Sequence, residues 1–193
     1  SNMGRETFVV PVSWERDMHP RKGKILWPVV APKTGRVERT NPVIFDGSAL
    51  TKDLTFHDDF KYTKLNLAWN FVRVPMPNTY SLDENSGHLR LFTHPNTISR
   101  RKRAHFIGVK QTESDFVFTA KMHFNPSGNE SAAGIAIVQK DDNYVSFVIR
   151  KEADGMLVEV LHKKKKIEII KTHKLKSYKG EIRFKLVSAN DTY

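Results

Sequence analysis

Asp115-Phe116-Val117-Phe118-Thr119-Ala120-Lys121-Met122-His123-Phe124 decides the fold class. Phe116, Phe118, Ala120, Met122 and Phe124 take alternate positions, with Val117, Thr119, Lys121 and His123 between them. Period two predicts a strand with one buried face; a helix would repeat its apolar residues every three or four positions. The pattern recurs at Ala132–Gln139, Tyr144–Arg150, Met156–Leu161, Ile167–Thr172 and Glu181–Val187, where Ile182, Phe184 and Leu186 alternate with Arg183 and Lys185. Turn residues separate these runs. Pro126-Ser127-Gly128-Asn129, Asp141-Asp142-Asn143, Ala153-Asp154-Gly155 and Tyr178-Lys179-Gly180 all suit reversals. Short strands at this spacing predict an all-β antiparallel sandwich of the jelly-roll or lectin kind, and no segment carries helix periodicity with caps.

Toward the N-terminus the pattern fades. Residues 15–53 hold Pro20, Pro28, Pro32 and Pro42 among glycines, which predicts a linker packed along a surface. The sandwich is placed at residues 54–193, opening with Leu54-Thr55-Phe56-His57-Asp58-Asp59-Phe60. At the far end, Ser188-Ala189-Asn190-Asp191-Thr192-Tyr193 has the look of a turn entering a further strand, so the sandwich is expected to lack its closing strands. An unpaired edge left this way could pair with a second copy.

The 193 residues are 39% hydrophobic and 27% charged, a globular balance, with no apolar run near the ~20 residues of a membrane helix. No cysteine is present, which excludes disulfides and zinc–thiolate sites. No signal peptide is visible, and the compartment stays open between cytoplasm, periplasm and secretion. A net charge of +11 raises the question of a polyanionic partner. Lysines on outward strand faces account for much of it. Arg100-Arg101-Lys102-Arg103 and Lys163-Lys164-Lys165-Lys166 lack the interleaved aromatics of a nucleic-acid surface, so specific nucleic-acid recognition is not expected. The second cluster suits a hairpin tip that blocks edge pairing.

Several stretches carry a resemblance in their order and spacing. They are Gly4-Arg5-Glu6-Thr7, Pro11-Val12-Ser13-Trp14, Leu26-Trp27-Pro28-Val29-Val30, Asp58-Asp59-Phe60 with Leu65–Pro75, Tyr80-Ser81-Leu82 with Gly87–Leu91, Phe106–Gln111, Ala132-Ala133-Gly134-Ile135 and Asn143-Tyr144-Val145. Together they resemble glycoside hydrolase family 43, the β-xylosidases and α-L-arabinofuranosidases; Lys110 stands where that family usually has arginine. The resemblance implies a concanavalin A-like C-terminal sandwich. Residues 1–14 would then be a tag remnant followed by the last strand of a missing five-bladed propeller. It also implies that the parent is an inverting glycosidase working with one carboxylate base and one carboxylic acid. Neither group falls on a residue of this chain, which is therefore expected to be inactive alone.

The residues implicated in binding are few. By resemblance, Arg5 contacts sugar in the parent only, and Trp14 and Trp27 bridge propeller and sandwich. Tryptophans also stack on pyranose faces, so Trp14, Trp27 and Trp69 are platform candidates in a second reading, an independent carbohydrate-binding module, with Trp69, in an apolar strand, the one best suited to the core. Its partners would be xylan or arabinan oligosaccharides. A third reading is a basic β-domain that binds polyanions. No cofactor is assigned. Asp58, Asp59, Asp141 and Asp142 offer clustered oxygens for a hard cation such as calcium, but no alternating ligand loop accompanies them.

Overall fold

The computed structural model describes residues 7–19, 21–42, 55–100, 102–190 and 192–193. The chain forms two compact units that divide between Phe56 and His57.

In the first unit, β1 (Val12–His19) and β2 (Gly23–Val30) form an antiparallel ribbon. The ribbon runs across residues expected to be linker, and the boundary drawn after Trp14 falls inside β1. Proline misleads here because a two-stranded ribbon leaves the outer side of each strand unpaired, where Pro28 costs no ladder bond. Beyond the ribbon, Ala31 N–H donates to Pro11 O at 2.8 Å, and the Asn41 amide donates to Val9 O at 3.1 Å.

The second unit begins with short elements. β3 (Trp69–Phe71) pairs with β6 (Ile107–Val109), and β4 (Tyr80–Ser81) pairs with β5 (Arg90–Leu91). A single 3-10 turn, Ile98–Arg100, lies between β5 and β6. Long strands follow: β7 (Phe116–His123), β8 (Ala132–Lys140), β9 (Asn143–Glu152), β10 (Gly155–Lys164), β11 (Lys166–Leu175) and β12 (Glu181–Ser188). β7 pairs with β12, and the other four form an antiparallel sheet ordered β11-β10-β9-β8. The fold is all-β, as the alternating runs predict.

The core forms where the two layers meet. Phe184, only 2% exposed, packs with Phe124, Ile149 and Met156. Its ring meets Phe147 edge-on at 5.1 Å, joining β12 to β9. Register explains which residues turn inward: Phe184 faces Ala120 on β7, while Ile149 faces Ala133 on β8 and Val158 on β10.

The middle of the four-stranded sheet is covered on its second face too. Tyr144, Ser146 and Glu159 alternate with the core residues yet are buried. Glu159, 2% exposed, pairs with Arg150, which reaches Glu130 at 3.4 Å with its other nitrogen. β9 and β10 therefore carry buried residues on both faces, apolar on the core side and mixed with paired polar groups on the other. Gly134 permits the tight β8–β9 pairing there, since an added Cβ would stand 2.1 Å from Phe147 O.

β11 is different again. Among the described residues it pairs only with β10, and it stays exposed along almost its whole length, Ile167, Ile169 and Ile170 included. The lysine run forms the tip between β10 and β11, turning on Lys165 at a φ of 67°. No helix among the described residues is long and apolar enough to cross a membrane.

Candidate functional site

A tightly held backbone turn lies at the start of the second unit. Asp58 Oδ1 accepts the Phe60 N–H at 2.9 Å, and Asp58 Oδ2 accepts the Trp69 indole N–H at 2.7 Å. The Phe60 ring stacks on Trp69 with centroids 5.7 Å apart. Together these contacts hold Phe60 at a φ of 52°, a region that bulky side chains rarely enter. Asp59 repeats the turn one residue on, accepting the Lys61 N–H at 3.3 Å. Its other oxygen meets the Lys61 ammonium at 2.6 Å, which holds the Asp59 carboxyl below its ordinary range and raises Lys61 in return. Trp69 is half-buried.

Beside this turn lies a recess of about 220 Å³ lined by Asp58, Asp59, Tyr62, Lys64, Asn66 and Leu82, among others. Lys64, Leu65 and Leu82 also line a shallower groove of about 620 Å³ that continues past Asn78, Ser81 and Asp83. Tyr62 is 78% exposed. The Asn66 side-chain oxygen Oδ1 accepts the Ala68 N–H at 2.9 Å, which fixes the amide plane. Tyr80 borders the groove with its ring stacked on Phe71 at 5.5 Å.

The aspartates proposed as cation oxygens are thus turn clamps at Asp58 and Asp59. At the β8–β9 turn, Asp141 lies 3.8 Å from Arg73 and Asp142 lies 3.1 Å from Lys140. No group of three or more metal-ligating side chains that could hold an ion occurs among the described residues. Arg5 lies outside the described residues, as does Arg101 of the first basic cluster.

Trp14 and Trp27 both lie on the β1–β2 ribbon, 65% and 49% exposed. Trp14 stands opposite Pro28, whereas Trp27 stands opposite Glu15. Directly opposed residues share a face and neighbours alternate, so the two indoles point to opposite sides. They cannot form one continuous platform. Trp14 instead shares its face with Val12, Met18, Leu26, Pro28 and Val30 and with the cations Arg16 and Lys24, and Val12, Met18, Leu26 and Val30 are likewise exposed.

A family model describing the beta xylosidase C-terminal concanavalin A-like domain matches residues 57–193. The chain belongs to that family. The match begins where the second unit begins.

Among curated relatives, a non-reducing end α-L-arabinofuranosidase of Bacteroides ovatus is 29% identical over 193 residues, covering 100% of this chain and 35% of the relative. A xylosidase/arabinosidase of Butyrivibrio fibrisolvens is 27% identical over 161 residues, covering 82% and 29%. The solved Bacteroides ovatus GH43B structure superposes with a TM-score of 0.69 at 27% identity, covering 96% of this chain and 35% of that one. The GH43 protein BlXynB of Bacillus licheniformis superposes at 0.68 with 24% identity, covering 97% and 34%. This chain therefore spans about a third of the length of the relatives it matches.

The sequence had marked the Asp58–Phe60 and Trp69 segments of this concanavalin A-like domain by family resemblance. Asn66 falls in the Leu65–Pro75 stretch marked the same way, without a role, whereas Tyr62 and Lys64 carry no sequence signal. The one local signal was a pair of aspartates placed two residues ahead of the N–H groups they cap.

Proposed function

We propose that the chain is the accessory C-terminal part of a glycoside hydrolase acting on xylosidic or arabinofuranosidic linkages. It packs on the catalytic portion and shapes the mouth of the active site. The exposed ribbon face of Val12, Trp14, Met18, Leu26 and Val30 carries this reading. A largely apolar face, interrupted by Arg16 and Lys24, on a two-stranded ribbon is a surface suited to be covered. The relatives supply a candidate to cover it, since each continues for about twice this chain's length beyond the matched part. Sterics at that junction would limit how long a substrate the active site admits.

The test is reassembly. The catalytic portion of the same enzyme, made as a separate polypeptide, should co-elute with this chain in gel filtration. Trp14→Ser with Leu26→Ser should abolish the complex while the sandwich stays folded. Co-elution that survives the double substitution would remove the ribbon face from the interface.

A further inference from the structure

We infer that the recess beside Tyr62 and the groove that continues from it bind a neutral pentose oligosaccharide directly on the sandwich. The sugar class rests on the proposed function; the site itself rests on its own geometry.

Three features point to a neutral, hydroxyl-rich chain. The first is shape. A half-open recess of about 220 Å³ leads into a shallower groove of about 620 Å³, sharing Lys64, Leu65 and Leu82. That suits a chain that lodges one ring and lays its neighbours across the surface, rather than a compact ligand swallowed whole.

The second is hydrogen-bonding capacity. Asp58 takes one N–H on each carboxylate oxygen, and each oxygen keeps a second lone pair. Asn66 spends its side-chain oxygen on Ala68, and its amide nitrogen has no partner among the described residues. Lys64 has no acidic partner among the described residues. A carboxylate, an amide donor and an ammonium on one wall match the paired donor and acceptor roles of adjacent sugar hydroxyls. Tyr62 adds an exposed ring at the rim, an amphipathic surface for the C–H face of a pentose.

The third is charge and rigidity. Asp59 and Glu84 are paired with Lys61 and Arg90, which leaves Asp58 and Asp83 beside Lys64, so no concentrated positive charge draws a polyanion here despite the chain's net charge of +11. The left-handed Phe60, pinned by Asp58 and Trp69, sets the wall before any ligand arrives. Little ordering then opposes binding.

Trp69 supplies the readout, because its indole N–H bonds a carboxylate that lines the recess. In the Trp14→Phe/Trp27→Phe chain it is the sole tryptophan. Titration with xylohexaose and with arabinohexaose should give a saturable change in its emission, and calorimetry on the unaltered chain should give a matching constant of about 0.1–1 mM. Tyr62→Ala should weaken binding about tenfold and Lys64→Ala several-fold, both without shifting the thermal midpoint. No saturable signal from either sugar in a folded sample would overturn the inference. So would binding indifferent to both substitutions, or preferential binding of a heparin fragment. Neither substitution touches the ribbon face, so reassembly with the catalytic portion should be unaffected. If the unaltered chain reassembles but binds neither sugar, this inference alone falls; if it binds sugar at this site but does not reassemble, the proposed function alone falls.

Discussion

Residues 112–193 and residues 57–111 belong to one unit but are built by different rules. The later stretch is a frame. Its strands run eight to ten residues, and its core comes from alternation alone: Phe184 and Ile149 are buried because of where register places them. The earlier stretch has strands of two or three residues, and its shape comes from side chains bonding to backbone. Asp58 caps Phe60, Asn66 caps Ala68, and the Thr79 hydroxyl donates to Met76 O at 2.8 Å. Both cavities lie in this second kind of structure. A regular frame offers flat faces, whereas a recess needs backbone that departs from regularity and is held there.

Substitutions should separate the two regions. The largest effect is expected at Phe184→Ala, which empties the centre of the frame and should cost about 3–5 kcal/mol by chemical denaturation. Loss of the whole transition would be consistent; a cost under about 1 kcal/mol would mean the layers do not meet there. Arg150→Met should cost about 3 kcal/mol, because it strands the buried Glu159 carboxylate. Adding Glu159→Gln should recover much of that loss, a coupling that independent sites would not show.

The site region should respond more locally. Asp58→Ala removes the acceptor for both the Phe60 and Trp69 N–H groups and should cost about 1–3 kcal/mol. Trp69 emission should shift, while hydrogen exchange in β9 and β10 keeps its protection pattern. If the central strands lost protection equally, frame and site would be one cooperative element.

The smallest effect concerns pH. Lys61 depresses the Asp59 carboxyl, Lys174 depresses Asp154 and Lys121 depresses Glu181. Each folded value lies below its unfolded one. Their stabilisation is therefore fully present above the unfolded carboxylate range near pH ~4 and is lost as pH falls through the lower folded values. All three groups are solvent-exposed, so the acid slope of the denaturation midpoint should be shallow. Glu181→Gln should flatten it further; a steeper slope in that variant would reverse the assigned sign.

The same contrast explains what the sequence could tell. β7 to β12 were legible because period two is a local signal that register only had to complete. The second covered face was hidden, since nothing in Tyr144-Val145-Ser146 says that both sides of β9 meet protein. The ribbon was obscured by Pro28, and the opposed facing of Trp14 and Trp27 depends on a register no single strand encodes. Asp58 and Asp59 stood out as oxygens, but their use as clamps depends on Trp69, eleven residues past Asp58. Tyr62, Lys64 and Asn66 gained meaning only once that clamp had formed a wall beside them.

The most direct test of the proposed role, an accessory domain that works with a separate catalytic portion, is sugar release by the chain alone. Xylobiose, arabinobiose and the corresponding 4-nitrophenyl glycosides would be incubated with a folded, purified sample. No turnover above the buffer rate is the outcome that the proposed accessory role predicts. Steady hydrolysis that scales with the concentration of this chain would contradict it.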